Sequence, residues 1–272
     1  VMQRQVYPEQ VEAMRRYKQY SRAYRVFELD DLITGLPVKS VHRGSFRANV
    51  GEQLSVALSL CDRFVVSTEP LAEAYRHLHS DIRVVPNYLE GTRWGGFTPL
   101  RRVSERPRVG WAGGIGHGGD LEVILDVVKA LAGEVDWIFF GLCPDSIRSY
   151  VKEVHRGVRV NEYPAKLASL NLDLALAPLE LIPFNEAKSH LKLLEYGILG
   201  YPVICTDIYP YQGGYPVTRV HNRQQQWVGA IREHLQDMDA CARRGDELRQ
   251  YVRRHWMLED HLDDWLNAWS GR

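Results

Sequence analysis

Short apolar runs alternate with amphipathic stretches through the second half of the chain, a pattern typical of a parallel sheet covered by helices. LEVILDVVKALAG places apolar residues on one helical face, and two further helices are predicted at roughly 223–236 and 239–254. We therefore expect a doubly wound parallel sheet. Its predicted strands are RVGWAG, WIFFG, VRVNEY, DLALAP and PVICT, followed by VTRV.

The first third of the chain shows the same alternation with fewer strands. VMQRQV, YRVFEL, RFVVS and DIRVVPN are predicted as strands, with helices over PEQVEAMRRYKQYS, over 47–60 and after Thr68. These elements are too few for a complete doubly wound domain. Because the chain also begins without Met, we expect a fragment of a longer protein. The segment 90–107 holds three Gly and two Pro without periodicity and is predicted as the linker.

Composition excludes several classes of protein. The 272 residues suffice for two domains, and 45% hydrophobic with 25% charged residues is a normal globular balance. Lys+Arg 34 against Asp+Glu 34 gives no net charge, which argues against a nucleic-acid partner. Cys61, Cys143, Cys205 and Cys241 include no C-x-x-C, so we expect neither a zinc knuckle nor a disulfide framework, and a cytoplasmic setting. We expect neither a membrane span nor a signal peptide, because no apolar run is long enough and no such peptide opens the chain. No His, Asp or Glu cluster has metal-ligand spacing, so no metal is implied.

The stretch PFNEAKSHLKLLEYGILGYP, residues 183–202, contains the strongest candidate site. Lys188, Lys192 and Glu195 follow at i, i+4 and i+7, which places them on one face of a helix. Asn185, in the loop with Phe184, is predicted to cap this helix, whose first N–H groups attract an anion. A solvated face with a Lys192–Glu195 ion pair is the alternative. The position of the helix after a strand, opposite a glycine turn, favours a phosphate site.

The glycine turn is GGIGHGGD, in which residues 114–119 match G-x-G-x-x-G between a strand and a helix. An NAD-dependent oxidoreductase is therefore one alternative. However, the next strand ends in Gly141, where an acid should hold the ribose, and Asp145 comes a few residues late. We favour a turn that brings backbone N–H groups near a phosphate, with Asp120 as helix cap. His117 is expected to point into the cleft; an exposed histidine on a ligand-free turn is the competing interpretation.

Asp30 and Asp31 end a predicted strand in the first domain. Carboxylates at a strand end can orient a hydroxyl or act as a base. A turn or helix cap is the competing interpretation for at least one of them. His42 and Arg43 follow closely and are candidates for the same site.

Three segments together resemble a known family: WAGGIGHGGDLE, NEYP and LDLALAPLELIPFNEAKSHLKLLEYGILGYPVICTD. They are similar to the nucleotide-binding domain of bacterial glycosyltransferases with the two-domain GT-B fold, in particular the retaining, group 1-like enzymes that build O-antigen and other surface polysaccharides. The resemblance covers roughly 108–269, and FELDDLITGLP and FVVSTEPL extend it more weakly into the first domain. It implies an incomplete acceptor domain in 1–100, a donor domain in 101–255, and a helix in 256–272 that crosses back to the first domain.

The resemblance also implies roles for individual residues. Glu195 matches the second acid of the family's paired-glutamate motif, which binds the donor ribose. The first glutamate of that motif would fall at Ala187, and Glu186 is one position off. The residues implied to hold the donor diphosphate or sugar are Lys188, Ser189 and Lys192, with Phe184 and Asn185 in the preceding loop. The glycine turn is implied to approach the phosphates from the other side, through Gly113, Gly114, Gly116 and His117. The implied base-binding loop is formed by Tyr163 and Pro164.

The implied activity is metal-independent transfer of a sugar from a UDP- or GDP-linked donor to a glycan or lipid-linked acceptor, with no cofactor. Peripheral contact with the inner membrane is a further expectation. A non-catalytic nucleotide-binding α/β module is the third alternative, favoured by the missing carboxylate at Ala187 and the incomplete first domain. The expected catalytic residues are Lys188, Glu195, His117 and Asp31, and the expected acceptor-binding residues are Asp30 and His42.

Overall fold

Two parallel β-sheets organise the chain, which confirms the predicted α/β architecture with two Rossmann-like domains. The computed structural model describes residues 1–37, 44 and 49–271. In that part of the chain the first sheet has the order β1-β2-β3-β4 and the second the order β10-β9-β8-β5-β6-β7. The strands are β1 Met2–Gln3, β2 Val26–Leu29, β3 Arg63–Val66, β4 Ile82–Val84, β5 Arg108–Gly113, β6 Asp136–Gly141, β7 Glu153–His155, β8 Leu174–Ala177, β9 Val203–Thr206 and β10 Thr218–Val220.

Helices cover both faces of the second sheet, because its central strands are apolar on both sides. Short 3₁₀ turns complete several loops, among them Ile115–His117 and Asp145–Tyr150. The helices of the described ranges are α1 Pro8–Tyr20, α2 Val50–Ser59, α3 Glu69–Tyr75, α4 Gly91–Trp94, α5 Gly118–Glu122, α6 Leu125–Ala130, α7 Tyr163–Ala168, α8 Pro183–Glu186, α9 Leu191–Ile198, α10 Gln224–Gln236, α11 Met238–His255 and α12 Leu262–Trp269.

The prediction of a strand at VRVNEY is wrong. The edge strand β7 lies earlier, at Glu153–His155, and pairs with β6. Val158 and Val160 are 39% and 75% exposed, so their alternation with polar residues marks a solvent-facing turn. Pro164 lies in the first turn of α7, a position that proline favours because no N–H donor is needed there.

The predicted linker 90–107 is not wholly irregular either. Its start forms the short helix α4, and the Trp94 side chain is 6% exposed. Trp94 packs into the same apolar cluster as Leu167, Leu193 and Tyr196 of the second domain. The polypeptide between the sheets is therefore anchored by an aromatic side chain.

The end of the chain packs against the first sheet. Ala268 of α12 is buried with Val26 and Val65 of the central strands. The Arg63 guanidinium donates hydrogen bonds to the carbonyl oxygens of Asn267, Ala268 and Ser270 and so binds the C-terminal end of α12. Helix α12 is thus a covering element of the first domain. Among the described residues, no helix has both the length and the apolar character needed to cross a membrane.

Strand register brings the ends of neighbouring strands to one edge of each sheet. Leu29 of β2 lies beside Val66 of β3, and Gly113 of β5 lies beside Gly141 of β6. Gly141 has φ +97, and a Cβ there would lie 2.1 Å from the Gly113 carbonyl oxygen. Only glycine fits at this close approach between the carboxyl ends of β5 and β6.

Candidate functional site

A cleft of about 450 Å³ opens between the two sheets at the carboxyl ends of their strands. Doubly wound sheets bind ligands outside the carboxyl ends where the strand order reverses, here between β5 and β8. Both domains contribute to the walls. The predicted site residues that line the cleft are Asp30, Asp31, Gly113, Gly114, His117, Tyr163, Lys188, Ser189, Lys192 and Glu195.

Other predicted residues lie elsewhere. Three of them border a much smaller pocket beside the Lys188 side chain, and one is buried in the first turn of α7. His42 and Arg43 lie outside the described residues. The three bordering the small pocket are Gly116, Phe184 and Asn185, and the one in α7 is Pro164.

The single helix predicted over the 183–202 stretch is in fact two helices with a loop between them. Helix α9 begins at Leu191, so Lys188 lies in the loop before it and only Lys192 and Glu195 are on the helix. Asn185 is buried in α8 and is not a cap, because its Nδ2 donates to Asp120 Oδ1 at 2.7 Å and to the Glu180 carbonyl at 2.8 Å. Helix α9 starts in the cleft lining, with Leu191 and Lys192, and its first N–H groups lack intrahelical acceptors.

Asp120 connects the glycine turn to the lysine loop. It was expected to cap α5 but lies inside that helix, 4% exposed. His117 Nδ1 lies 2.8 Å from Asp120 Oδ2, and Lys188 Nζ lies 3.3 Å from the same oxygen. The Glu180 N–H donates to Oδ1 at 2.9 Å. One buried carboxylate thus holds a histidine and a lysine at the cleft wall, a connection that the sequence prediction missed.

Lys192 is packed into the protein, which contradicts the solvated-face alternative. Its Nζ donates to the Ala112 carbonyl and lies 5.7 Å from the ring centroids of both Trp111 and Tyr196. Burial lowers the pKa of the Lys192 ammonium, while the nearby Glu195 carboxylate acts in the opposite direction. A cation held among aromatic rings at a cleft wall is preorganised for an anionic ligand.

Glu195 and Tyr163 are hydrogen-bonded to each other in the cleft lining. The Tyr163 hydroxyl donates to Glu195 Oε2 at 3.0 Å, and its ring stacks on Phe140 with centroids 5.5 Å apart. Burial raises the pKa of Glu195, and the Lys192 charge and the Tyr163 hydrogen bond counteract this rise. The result is an aromatic floor beside a carboxylate, which can take a planar ring and an adjacent hydroxyl.

Neither Glu186 nor Ala187, the two positions considered for the first glutamate of the motif, lines the cleft. Ala187 is 3% exposed and packs in the core of the first domain, and its carbonyl accepts a 2.9 Å hydrogen bond from the Thr68 hydroxyl. Glu186 instead accepts a hydrogen bond from the Tyr209 N–H. A glutamate at position 187 would place a charge in an apolar core, which explains in physical terms why a small residue stands there.

The first domain contributes Asp30 and Asp31, which follow β2. Arg4 Nη2 donates to Asp30 Oδ1 and, at 2.9 Å, to Asp31 Oδ2. Burial and the neighbouring Asp30 charge raise the pKa of Asp31, although Arg4 and Lys188 counteract the rise. Asp31 therefore faces the lysine loop from the opposite domain and takes up a proton more readily than a surface aspartate does.

The glycine turn lacks the acid that a dinucleotide site would need. Strand β6 ends at Gly141, and Asp145 is exposed at the start of a 3₁₀ turn outside the cleft lining. Gly114, by contrast, lines the cleft, and a Cβ there would meet no atom within 4 Å. Within the described ranges no group of three or more His, Cys, Asp or Glu side chains is arranged to hold a metal ion.

The chain shares its fold with solved glycosyltransferase structures. Sucrose-phosphate synthase from Thermosynechococcus elongatus matches with TM-score 0.67 and 16% identity, over 96% of this chain and 72% of that one. Anabaena HepE, in complex with UDP and glucose, matches with TM-score 0.68 and 13% identity over 96% and 76%. A TarM variant from S. aureus, in complex with fondaparinux, α-GlcNAc-glycerol and UDP, matches with TM-score 0.65 and 13% identity over 93% and 52%.

At these identities the likeness establishes the fold, which is the two-domain GT-B fold. The chain spans about half the length of TarM. Its sequence matches no protein-family model and no curated protein.

Proposed function

We propose that the protein is a metal-independent glycosyltransferase that moves a sugar from a UDP- or GDP-linked donor to a glycan or lipid-linked acceptor hydroxyl. The observation that carries this proposal is the pair Lys188 and Lys192 at the carboxyl ends of the second sheet, inside a cleft that both domains line. The GT-B fold supports the proposal, as does the presence of UDP in the HepE and TarM structures.

Each wall of the cleft has a role in this reaction. Cleavage of the bond between the sugar and the diphosphate builds negative charge on the departing diphosphate, which Lys188, Lys192 and the start of α9 stabilise. Glu195 accepts hydrogen bonds from the donor ribose beside the Tyr163 ring. Asp31, from the opposite domain, orients the acceptor hydroxyl and takes its proton as the new bond to the sugar forms. Closure of the two walls keeps water from competing as acceptor.

Further parts of the proposal rest on the resemblance to the group 1-like enzymes: retention of the anomeric configuration, a role in surface polysaccharide or O-antigen synthesis, and a cytoplasmic location. Peripheral contact with the inner membrane has an additional support in α1. Tyr17 and Tyr20 are 60% and 79% exposed there, among exposed Arg15, Arg16 and Lys18. Aromatic rings and basic groups on one exposed helix suit a surface of anionic lipids.

A thermal-unfolding panel with UDP, GDP, sugar nucleotides and NADH tests the proposed function. We expect UDP or GDP to raise the melting temperature, because a ligand at about 100 times its Kd adds about 2.7 kcal/mol to the stability of the folded state. Stabilisation by NADH but not by UDP or GDP would favour the NAD-dependent oxidoreductase. No stabilisation by any nucleotide would favour a non-catalytic module. Product anomers assigned by NMR then test retention.

Replacing Gly114 by valine should block the nucleotide site without harming the fold. The Gly114 backbone is extended (φ −80, ψ 179) and its missing Cβ points into open space, so a β-branched side chain fits locally but fills the cleft. We expect at least about a tenfold loss of UDP or GDP affinity by calorimetry, about 1.4 kcal/mol, with an unchanged melting temperature. The matched control is Gly133→Val, which also meets open space but lies on an exposed turn. Equal affinity in the two variants would place the nucleotide elsewhere.

A further inference from the structure

The Asp120 carboxylate lies behind His117 and Lys188 of the cleft lining and has four polar partners. Its Oδ1 accepts hydrogen bonds from the Asn185 amide at 2.7 Å and the Glu180 N–H at 2.9 Å. Its Oδ2 lies 2.8 Å from His117 Nδ1 and 3.3 Å from Lys188 Nζ. Three separate segments of the chain therefore depend on one buried anion for their relative positions.

These contacts fix the proton on the His117 ring. Burial alone would raise the pKa of Asp120, but the bonds from His117 and Lys188 lower it to about 2, so the group is a carboxylate at neutral pH. A carboxylate can only accept hydrogen bonds, so His117 Nδ1 must carry the hydrogen between them. The proton location on the imidazole is thus set by its buried partner.

The other ring nitrogen, Nε2, is left with a lone pair. Burial lowers the pKa of His117, and the Lys192 and Lys188 charges lower it further, while Asp120 counteracts these effects. The ring is therefore neutral at neutral pH. It stands edge-on to Trp111, with centroids 6.1 Å apart, and lines the cleft.

We propose that His117 Nε2 accepts a hydrogen bond from a hydroxyl of the donor sugar, and that Asp120 is the positioning residue that fixes the required tautomer. This inference rests on the proposed function and makes it more specific, because His117 then binds the sugar and not the diphosphate. A fully ionised phosphate oxygen has no hydrogen to donate to a bare ring nitrogen, whereas every sugar hydroxyl does. The two lysines of the same wall supply the cations that the diphosphate needs.

Two substitutions at His117 separate the roles of its ring nitrogens. In His117→Asn the side-chain amide lies near the position of Nδ1 and the Nε2 acceptor is lost. In His117→Gln the longer side chain places an amide oxygen near the position of Nε2. We measure Kd values for UDP, UDP-glucose, UDP-N-acetylglucosamine, GDP and GDP-mannose by calorimetry, and compare each sugar nucleotide with its parent nucleotide.

For the best-bound sugar nucleotide, His117→Asn should lose about 3- to 10-fold in affinity, the range of a neutral hydrogen bond. UDP or GDP itself should change less than about twofold, and His117→Gln should recover part of the loss. A loss that is equal for the nucleotide and the sugar nucleotide would overturn the proposal in favour of a phosphate contact. A third outcome is that the wild type binds UDP or GDP and that the variants leave every sugar-nucleotide affinity unchanged. His117 would then not contact the sugar, while the proposed nucleotide site would stand. If no nucleotide bound the wild type, both proposals would fall.

Nitrogen-15 NMR of the histidine side chains tests the positioning role of Asp120 without activity. At pH 7 the wild type should show His117 with a protonated Nδ1 and an unprotonated Nε2. Asp120→Asn replaces an obligatory acceptor by an amide that can donate, so this variant should lose the single tautomer. A doubly protonated ring, or the opposite tautomer, in the wild type would overturn the assignment.

Discussion

Replacing Lys188 by methionine is expected to weaken UDP or GDP binding about 10- to 100-fold, because a hydrogen bond to a charged group contributes about 1.5–3 kcal/mol. Methionine keeps an apolar stem over the Phe184 ring, which lies 5.2 Å from the Lys188 ammonium. Asp120 retains its bonds from His117, Asn185 and the Glu180 N–H, so the fold should persist. Calorimetry gives the affinity, and circular dichroism the melting temperature.

Lys129→Met is the matched control for this variant. It removes the same charge from an exposed lysine whose partner is Asp126, and neither residue lines the cleft. A second comparison uses inorganic diphosphate: Lys188→Met should weaken both diphosphate and UDP, whereas Glu195→Ala should weaken UDP and leave diphosphate unchanged. If neither Lys188→Met nor Glu195→Ala altered nucleotide affinity, the site assignment would be wrong.

The second large effect is expected at Asp31. Asp31→Asn should lower the rate of sugar transfer about 100-fold or more, the usual contribution of a positioned acid or base, while UDP affinity changes little. Asparagine keeps an oxygen that can accept the Arg4 hydrogen bond, so the local structure should be retained. Steady-state kinetics with the natural or surrogate acceptor measure the split between kcat and donor KM.

The pH dependence of the transfer rate is a second test of the role of Asp31. Burial and the Asp30 charge raise the pKa of Asp31, and only the ionised carboxylate can take a proton. Activity should therefore rise with pH along an acidic limb that lies above the usual aspartate range, and Asp31→Asn should remove that limb. Asp30→Asn is the matched control, since Arg4 binds both carboxylates. Equal rate losses and equal melting temperatures in both variants would indicate that the Arg4 network only supports structure.

Strands were the most predictable elements because their sequence signal is local. Strands β8 and β9 are buried at every residue, so a continuous apolar run identifies them directly. The false strand VRVNEY has the other local strand signal, alternation of apolar and polar residues, but its two valines face solvent. Only the pairing of β6 with an earlier segment decides this, and pairing cannot be read from periodicity.

The candidate site was predictable in part for the same reason. The glycine turn and the two lysines follow strand ends, and strand ends of a parallel sheet meet at one edge. The role of Asp120 was hidden because its partners Glu180, Asn185 and Lys188 are 60 to 68 positions away. At the break between α8 and α9 the Ala187 carbonyl accepts a hydrogen bond from Thr68, a contact that is also distant in sequence. The His117-x-x-Asp120 spacing was the one local sign of the cluster.

The burial of Ala187 limits how the chain can be divided. This residue belongs to the core of the first domain although it lies far along the sequence, within the segment predicted as the donor domain. Helix α12 covers the same domain from the end of the chain. Cutting after residue 100 would therefore leave the first sheet without a core residue and without its covering helix, and would detach the lysine loop from its anchor at Thr68. The two halves are not interchangeable modules, and chimeras with related proteins should exchange 1–100 together with 187 and 256–272.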